Sequence, residues 1–549
     1  MASTEGSLGG VSAAKTGDGE TRQPRKRRGE QEHVYMPDEL LLTFVDTTAR
    51  PRRDDARVQH LLQRSTALAG DIDIQIVEPP ARQGDEVRHP HLAGVPLTLR
   101  VRATKPEGAK ARRDHIKEAA DKINANLHNL QHEGIVVSSA TPNWIISSSK
   151  GSGAGVGGPG TLPDPAPAGG WPIKVPAMGA WTDTMPIAPD ERVVVAVLDS
   201  FPGRHDLQAA AKRAQFQDNA LLQDIAKDGV ITDWNRFTPP NDVPSKRQTN
   251  EADHGLFVAG VIHRIAPPAE IHLLHILDDA GVGHTHLLFE ALDYCLALTH
   301  SGRRVVVNMS MYLCIPPGTD LWDHWFEGTR APAGVTSGHR ANLLEALDEG
   351  VHQRVALLLD AGAVIVAAAG NDALTGRTRS VRANGLHPQP RLPADYDGVI
   401  CVVATNREGK IAAYSNRADI PPTGNCVATY GGQGDLDHKH NVAVVPAGGD
   451  PRDGMVGLFT HTEVPSADGP GKPNTSGWVY WSGTSFATPV ISGIAANVLA
   501  RNELARKADP RVPRMTPRQV MTSILDMAEP PATTDPALGC PYVAVTQTQ

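Results

Sequence analysis

The sequence predicts an α/β protein with a mostly parallel β-sheet flanked by helices, preceded by a small α+β domain. Short runs of Val, Ile and Ala alternate with helical patterns after about residue 190, which is typical of parallel strands covered on both faces. A stretch rich in Gly, Ser and Pro near residue 150 separates these runs from an earlier set of strand and helix patterns. Such a change in composition indicates a boundary between domains.

The chain divides into four predicted parts. Residues 1–33 are polar, charged and rich in Gly, so we expect a disordered tail. An α+β domain is predicted over 34–148, a Gly/Pro-rich linker over 149–170, and the main domain over 171–549. In the α+β domain, hydrophobic spacing predicts strands at 40–45, 94–103 and 134–148 and helices at 54–70 and 112–131.

In the main domain, strands and helices are predicted in alternation. Continuous apolar runs indicate buried strands, and apolar residues spaced three and four apart indicate helices. Strands are expected at 192–200, 270–277, 303–311, 363–371 and 398–405, and helices at 254–265, 284–300, 341–362 and after Ser485. Two stretches, 315–341 and 430–477, are rich in Gly, Pro and Asp and lack periodicity, so we expect long surface insertions there.

Charge and cysteine content restrict the classes of function. The formal net charge is −8, which argues against nucleic acid or an anionic membrane as the main partner. No apolar run is long enough to span a membrane. The five cysteines include no CxxC pair, so they predict neither a zinc site nor a disulfide framework. Free thiols fit a reducing compartment, and no secretory signal is recognisable, so we expect a cytoplasmic protein.

Four polar residues stand at the ends of predicted elements. Asp199 ends a strand, His254 opens a helix, Asn371 follows a strand and Ser485 opens the last long helix. The carboxyl ends of parallel strands gather functional groups. A serine becomes a nucleophile when an imidazole takes its proton, a carboxylate fixes the tautomer of that imidazole, and an Asn amide can donate to an oxyanion. These residue types therefore indicate acyl transfer.

The motifs around these residues resemble those of the subtilisin-like serine proteases, the subtilases of peptidase family S8. "VAVLDS" contains Asp199, "HGLFVAGVI" contains His254, "VAAAGN" contains Asn371 and "SGTSFATPVISGIAA" contains Ser485. The last motif is the most specific, and the order Asp, His, Ser is that of subtilisin. The resemblance covers about 170–545. It implies a subtilisin-like three-layer fold and serine endopeptidase activity on a polypeptide substrate.

The resemblance also implies roles for individual residues. Asp199 would orient His254, His254 would act as base and then as acid, and Ser485 would attack the scissile carbonyl. Asn371 and the backbone N–H of Ser485 would form the oxyanion hole. The family binds its substrate as an added β-strand, along segments that match 310–313 and 367–370 here. The substrate-binding residues implied are Ser310, Met311, Tyr312, Ala368, Ala369 and Gly370.

The sequence departs from the family pattern at several positions. Phe257 stands where a second, non-catalytic His is common, and Phe486 replaces the usual Met after the nucleophile. The segment 310–313 lacks the family's glycines, so we expect Tyr312 to narrow the non-primed subsites. No cofactor is expected to be required. Calcium often stabilises the family and Asp206 matches one ligand position, but no partner loop supports a calcium site.

Several further residues have structural interpretations. Asp253 is interpreted as a helix-start residue rather than a group that tunes its neighbour. Five histidines match no zinc template, so we expect no metal site and interpret them as packed or surface residues: His263, His272, His275, His284 and His286.

The α+β domain resembles the inhibitor-like propeptide domain of subtilases. The resemblance depends on its opening strand and on "GIVVSSATPNWI" at its end. In the family this domain assists folding and blocks the cleft with its C-terminal tail. The resemblance implies that the N-terminal domain is an intramolecular inhibitor, and it predicts self-cleavage inside 147–175. A permanent accessory domain that is never cut is the alternative.

Other functions compete with that of a serine endopeptidase. A catalytically silent, peptide-binding pseudoprotease would keep the fold and hold extended peptides without cutting them. An esterase would usually carry its nucleophile in G-x-S-x-G, which "SGTSFA" does not match. A Ser-Glu-Asp peptidase would lack the histidine of "HGLF". The natural substrate and the preferred P1 residue do not follow from the sequence.

Overall fold

A computed structural model describes the following residues of the chain: 35–44, 73–77, 97–104, 115–126, 137–147, 160–178, 188, 191–227, 229–236, 251–314, 348–373, 388–417, 424–437, 442–448, 451–467, 469–530, 535 and 538–549. The predicted tail at 1–33, the predicted helix at 54–70 and the predicted insertion at 315–341 lie outside these residues.

The front domain is an antiparallel sheet backed by a helix. Its described elements are β1 (Tyr35–Phe44), β2 (Asp73–Ile76), β3 (Leu97–Thr104), α1 (His115–Ala125) and β4 (Val137–Ser147). The strands lie in the order β4-β1-β3-β2, and the apolar face of α1 packs into the same core as β1 and β4. The sequence did not predict β2, because four residues are too few to show a strand period.

Residues 160–170, which the sequence assigned to the linker, pack against the main domain. Thr161 N donates to Ser482 O at 2.8 Å, and Trp481 Nε1 donates to Thr161 O at 2.6 Å. β5 (Asp164–Pro165) and β6 (Ile173–Lys174) follow. The Gly/Pro-rich composition did not indicate this packing, because the contacts use mainly backbone groups.

A parallel sheet of eight strands forms the centre of the main domain. Its strand order is β22-β15-β14-β13-β11-β7-β9-β8, and every neighbouring pair is parallel. These strands are β7 (Val194–Asp199), β8 (Ile231–Arg236), β9 (Glu270–His275), β11 (Val305–Met309), β13 (Val364–Ala368), β14 (Ile400–Thr405), β15 (Cys426–Tyr430) and β22 (Tyr542–Val543). The sheet confirms the predicted fold class.

Helices cover both faces of this sheet. They are α2 (Arg204–Ala211), α3 (Ala220–Ile225), α4 (His254–Ile265), α5 (Thr285–His300), α6 (Glu349–Asp360), α7 (Thr484–Ala508) and α8 (Pro517–Asp526), with 3₁₀ turns at Pro176–Met178 and Ala214–Phe216. α4 and α7 belong to the core on one face. α5 and α6 belong to the core on the other face, which is continuous with the core of the front domain.

Short strands complete the described part of the main domain: β10 (Val282–His284), β12 (Tyr312–Leu313), β16 (Asp435–Asp437), β17 (Val442–Val444), β18 (Met455–Leu458), β19 (Glu463–Ser466), β20 (Gly469–Pro473), β21 (Trp478–Trp481) and β23 (Thr546–Gln547).

The prediction of a surface insertion at 430–477 was wrong for its middle part. β18 is buried and pairs with β21. At Gly457, a Cβ would come within 2.6 Å of the Phe257 ring, so the strand lies directly on α4. The four residues of β18 are too few to show a period, and their flanks are rich in turn residues.

Candidate active site

Asp199 and His254 are in contact where β7 ends and α4 begins. His254 Nδ1 lies 2.8 Å from Oδ1 and 2.9 Å from Oδ2 of Asp199, and both side chains are buried. Gly255 permits this approach, because a Cβ there would lie 2.3 Å from Ser200 O and 2.7 Å from Asp199 Cβ. The structure thus brings together two of the residues that the sequence assigned to one site.

The carboxylate of Asp199 controls the protonation of His254. Burial lowers the pKa of His254, but the charge and hydrogen bond of Asp199, with the charge of Glu251, raise the pKa by more, so it lies above its ordinary value of 6.5. Asp199 Oδ1 also accepts from Ser200 N at 2.7 Å, which fixes the carboxylate. In the neutral imidazole, a carboxylate at Nδ1 keeps the proton there and leaves Nε2 as an acceptor.

Ser485 lies in the first turn of α7, which begins at Thr484. Its Oγ donates to Ser310 O at 3.2 Å, and Ser310 Oγ donates to Ser485 O at 2.9 Å. The carbonyl of Ser485 is available because Pro489, four residues later, has no N–H to bond it. Asn308 Nδ2 donates to Ser310 Oγ at 3.0 Å. Ser485 is therefore fixed to the carboxyl end of β11.

Aromatic rings place the Ser485 segment beside His254. The His254 ring lies 5.5 Å from the Trp481 ring and 5.1 Å from the Phe486 ring, centroid to centroid. Trp481 lies four residues before Ser485 in the chain, and Phe486 follows it directly. The Phe257 and Phe486 rings lie 4.4 Å apart, so two departures from the family pattern pack directly on each other. The sequence did not predict this ring contact, because Phe257 and Phe486 lie 229 positions apart in the chain.

Asn371 is oriented by the residue that precedes Ser485. Its Oδ1 accepts from the backbone N of Thr484 at 2.9 Å and from Thr484 Oγ1 at 3.0 Å. With the amide oxygen held in this way, Nδ2 is the donor end of the side chain. A Cβ at Gly483 would lie 3.6 Å from that Nδ2, so the donor faces the turn that leads into α7.

The chain's own β4 runs between β10 and β12. Ser147 pairs with Val282 on one side and with Tyr312 on the other, both antiparallel. The predicted substrate segment 310–313 is thus paired with the front domain at Tyr312 and Leu313. The sequence did not predict that β10 would pair with the other side of β4, because three residues show no periodicity. The small residue Gly283 was the one signal that the sequence of β10 offered.

The second predicted substrate segment, 367–370, ends beside Asn371. Gly370 has φ +109°, which favours glycine. Its N donates to Thr484 Oγ1 at 3.2 Å and its O accepts from Asn416 N at 2.9 Å. The remaining predicted substrate residues are buried in the two segments: Ser310, Met311, Tyr312, Ala368 and Ala369.

Hydrogen bonds attach β4 of the front domain to the residues directly before and after β10. Ser147 Oγ donates to Gly281 O at 3.1 Å, and Thr285 Oγ1 donates to Trp144 O at 3.0 Å. At the start of α5, His286 N donates to Asn143 Oδ1 at 3.1 Å. These contacts tie the last part of β4 to the segment that contains β10.

Asp253 acts as an anchor for the loop after β18. Asp253 occupies the N-cap position of α4, but its side chain makes no capping hydrogen bond. Its carboxylate instead accepts from Thr460 N at 2.6 Å, from Thr460 Oγ1 at 2.8 Å and from His461 N at 3.2 Å. Burial raises the pKa of Asp253, and His461 and these hydrogen bonds oppose part of that rise.

Potential metal ligands are dispersed in the described part of the chain, where no group of three or more His, Cys, Asp or Glu residues could hold an ion. Asp206 is exposed in the first turn of α2. His272 contacts Tyr294 Oη and Glu270 at 2.7 and 2.9 Å. His284 is buried in β10.

Comparison with known proteins identifies the family of the chain. The family model Peptidase_S8, described as the subtilase family, matches residues 190–540, well over half of the chain. The chain belongs to the subtilase family. A curated relative is the minor extracellular protease Epr of Bacillus subtilis (strain 168), which is 28% identical over 190 residues, or 32% of this chain and 22% of Epr. The subtilase described here thus spans about a fifth of the length of that relative.

Two solved structures illustrate the range of similar proteins. A lanthipeptide protease is 18% identical, with a TM-score of 0.36 over 62% of this chain and 82% of its own. Fervidolysin from Fervidobacterium pennivorans, a keratinolytic enzyme related to subtilisin, is 15% identical, with a TM-score of 0.46 over 90% of this subtilase and 58% of its own chain. Within the described residues of the subtilase, no helix combines the length and apolar character needed to cross a bilayer.

Proposed function

We propose that this subtilase is a serine endopeptidase that cleaves polypeptides through an acyl-enzyme. The observation that carries the proposal is the buried Asp199–His254 pair, whose imidazole contacts the rings of Trp481 and Phe486 on either side of Ser485 in the sequence, four residues before it and one after it. His254 Nε2 takes the Ser485 proton as Oγ bonds to the scissile carbonyl carbon. The protonated His254 then gives that proton to the leaving amine, and water repeats the sequence to release the acid.

The oxyanion formed in each step needs donors. We propose that Asn371 Nδ2 and the backbone N–H of Ser485 supply them. The anchoring of Asn371 Oδ1 by Thr484 supports the first assignment. The second is supported by the position of Ser485 in the first turn of α7, where backbone N–H groups have no partner within the helix.

A fluorophosphonate probe tests this activity. We expect covalent labelling of wild-type protein at Ser485, loss of labelling in Ser485→Ala, and cleavage of unfolded protein substrates by the wild type alone. Failure of the wild type to label or to cleave would refute the endopeptidase and would favour the peptide-binding pseudoprotease.

The front domain is proposed as an intramolecular inhibitor. Its β4 pairs with β12, the segment predicted to bind substrate, and this pairing supports the proposal. The chain leaves Ser147 beside Tyr312 and returns at Thr161 beside Ser482, three residues before Ser485. The two ends therefore flank the nucleophile, and within the predicted range of 147–175 we place self-cleavage between 147 and 160.

Intact masses of wild-type and Ser485→Ala protein test self-cleavage. A wild-type cut between residues 147 and 160 that is missing in the variant is expected. Equal masses after long incubation would instead identify a permanent accessory domain.

We also propose a reducing compartment, such as the cytoplasm. The basis is that all five cysteines lie in the described part of the chain as buried thiols outside disulfides. They include Cys401 and Cys426, which face each other on β14 and β15.

A further inference from the structure

Arg391 closes the space between the two segments predicted to bind substrate. Its backbone N donates to Ala369 O at 2.9 Å, and Leu313 N donates to the next carbonyl, Leu392 O, at 2.9 Å. The residues 391–392 thus bridge 310–313 and 367–370. Ser310 in the first segment is bonded to Ser485, so a substrate strand that pairs with both segments would place its P1 side chain beside Ser485, in the space between them.

The side chain of Arg391 crosses this space. A Cβ at Gly370 would lie 3.0 Å from Arg391 Cγ, and the guanidinium carbon lies 5.9 Å from the centroid of the Tyr312 ring. The charged group therefore extends from one substrate segment toward the other. Arg391 is 3% exposed, so its hydrogen bonds must be made with protein or ligand.

One nitrogen of the Arg391 guanidinium has a hydrogen-bond acceptor, and another has none among the described residues. Nε donates to Asp372 Oδ2 at 2.8 Å, and Asn416 Nδ2 donates to the same oxygen at 2.7 Å. Burial lowers the pKa of Arg391, but Asp372 raises it by more, so the group stays charged. Nη1, in contrast, is buried without any hydrogen-bond acceptor among the described residues. A buried charged donor in this state is destabilising until an acceptor reaches it.

We propose that Arg391 determines specificity at P1 and selects substrates with an acidic P1 side chain. This inference rests on the proposed endopeptidase function. A carboxylate would give Nη1 a charge-assisted bond, which is about twice as strong as a neutral one. A carboxamide would accept a weaker bond, an apolar side chain would leave Nη1 without a partner, and a lysine would bring a second cation to the guanidinium.

The sequence between Ser147 and Gly160 contains no Asp, Glu, Asn or Gln. By the same selectivity, self-cleavage in this stretch is expected to be slow, which is why the intact masses are compared after long incubation.

Single-residue esters test the P1 preference in the full chain, because they need only the P1 side chain and an activated carbonyl. N-acetyl aryl esters of Glu, Gln, Met and Lys are compared by kcat/KM, with the rate of Ser485→Ala subtracted. We expect the Glu ester to exceed the Met ester by about tenfold or more, with Gln between them and Lys last.

A paired substitution identifies the residue responsible. Arg391→Met with Asp372→Asn removes both charges, so no buried charge is left alone. In this variant the ratio of kcat/KM for the Glu ester to kcat/KM for the Met ester is expected to fall to one or below. A merely structural role for Arg391 would lower all four rates together and keep the ratio.

The outcomes separate the two proposals. A wild-type preference for Met or Lys, or an unchanged ratio in the paired variant, would overturn the P1 assignment and leave the peptidase intact. If the paired variant does not fold, Arg391→Gln replaces it, because it removes the positive charge and keeps an amide donor for Asp372, and a ratio as large as that of the wild type overturns the assignment. No Ser485-dependent hydrolysis of any ester would refute the proposed function itself.

Discussion

Replacement of Asp199 by Asn should inactivate the site by forcing His254 into the wrong tautomer. Asp199 Oδ1 is committed to Ser200 N at 2.7 Å, so the oxygen of the new amide remains there and its NH₂ occupies the position of Oδ2. That position is 2.9 Å from His254 Nδ1, while the retained oxygen lies 2.8 Å from the same nitrogen. The NH₂ group can donate only to an unprotonated Nδ1, so the substitution favours the tautomer whose proton is on Nε2, and Nε2 can then no longer accept the Ser485 proton.

The expected loss is large. In a Ser-His-Asp protease triad, an Asp-to-Asn change that leaves the geometry intact costs about 10⁴ in kcat, which corresponds to about 5.5 kcal/mol of transition-state stabilisation. Asp199 also raises the pKa of His254. Wild-type activity should therefore fall as the pH drops through a pKa above 6.5, because the base must be neutral. The residual activity of Asp199→Asn should fall at a lower pH.

The assay compares kcat/KM against pH for an activated ester, after titration of Ser485 with a fluorophosphonate. Asp253→Asn is the matched control, since it changes a buried carboxylate next to His254 that is bonded to Thr460 instead. It should keep activity within about tenfold and leave the pH profile in place. More than about 1% of wild-type kcat/KM in Asp199→Asn, or an equal loss in Asp253→Asn, would refute the tautomer argument.

Three further predictions follow from the site and the packing. Asn371→Ala should lower kcat by about 10²–10³, a magnitude measured for a subtilisin oxyanion donor, while KM changes little. Trp144→Ala should destabilise the front domain by about 3–5 kcal/mol, because this buried ring packs edge-on against Tyr35; hydrogen exchange of β4 should rise, and cleavage of added peptide should increase. The five cysteines should be inert to a thiol reagent in the native protein and react fully in denaturant, because all are buried.

Specific results would contradict each of these predictions. A rise in KM with unchanged kcat in Asn371→Ala would indicate a substrate-binding residue. Faster exchange of β4 in Trp144→Ala without any gain in activity would argue against inhibition by the front domain. Rapid native labelling of any thiol would contradict its burial.

The sequence was sufficient for the parts of the fold that depend on local pattern. Helix α4 was predicted at its observed bounds, and the buried strands of the parallel sheet were predicted from their apolar runs. The candidate triad could be assigned because each member lies in a distinctive motif. These are properties of neighbouring residues, which a single sequence displays.

Features made by distant residues could not be predicted in this way. The pairing of Phe257 with Phe486 and the room made by Gly457 depend on three segments that meet only in the folded chain. β10 and β18 are too short to show a period. Arg391 lies in an irregular segment, and only the structure shows that its guanidinium extends between the two substrate segments.

β4 pairs with strands of both the front domain and the main domain, and this affects how the protein would be activated. The strand pairs with β1 in the front sheet and with β10 and β12 at the cleft, and its apolar residues share a core with the main domain. A nick after this strand would remove no hydrogen bond of the strand itself. It would convert a tethered contact into an association between two fragments, whose occupancy depends on concentration. Dilution, rather than the nick alone, would then determine when the cleft opens.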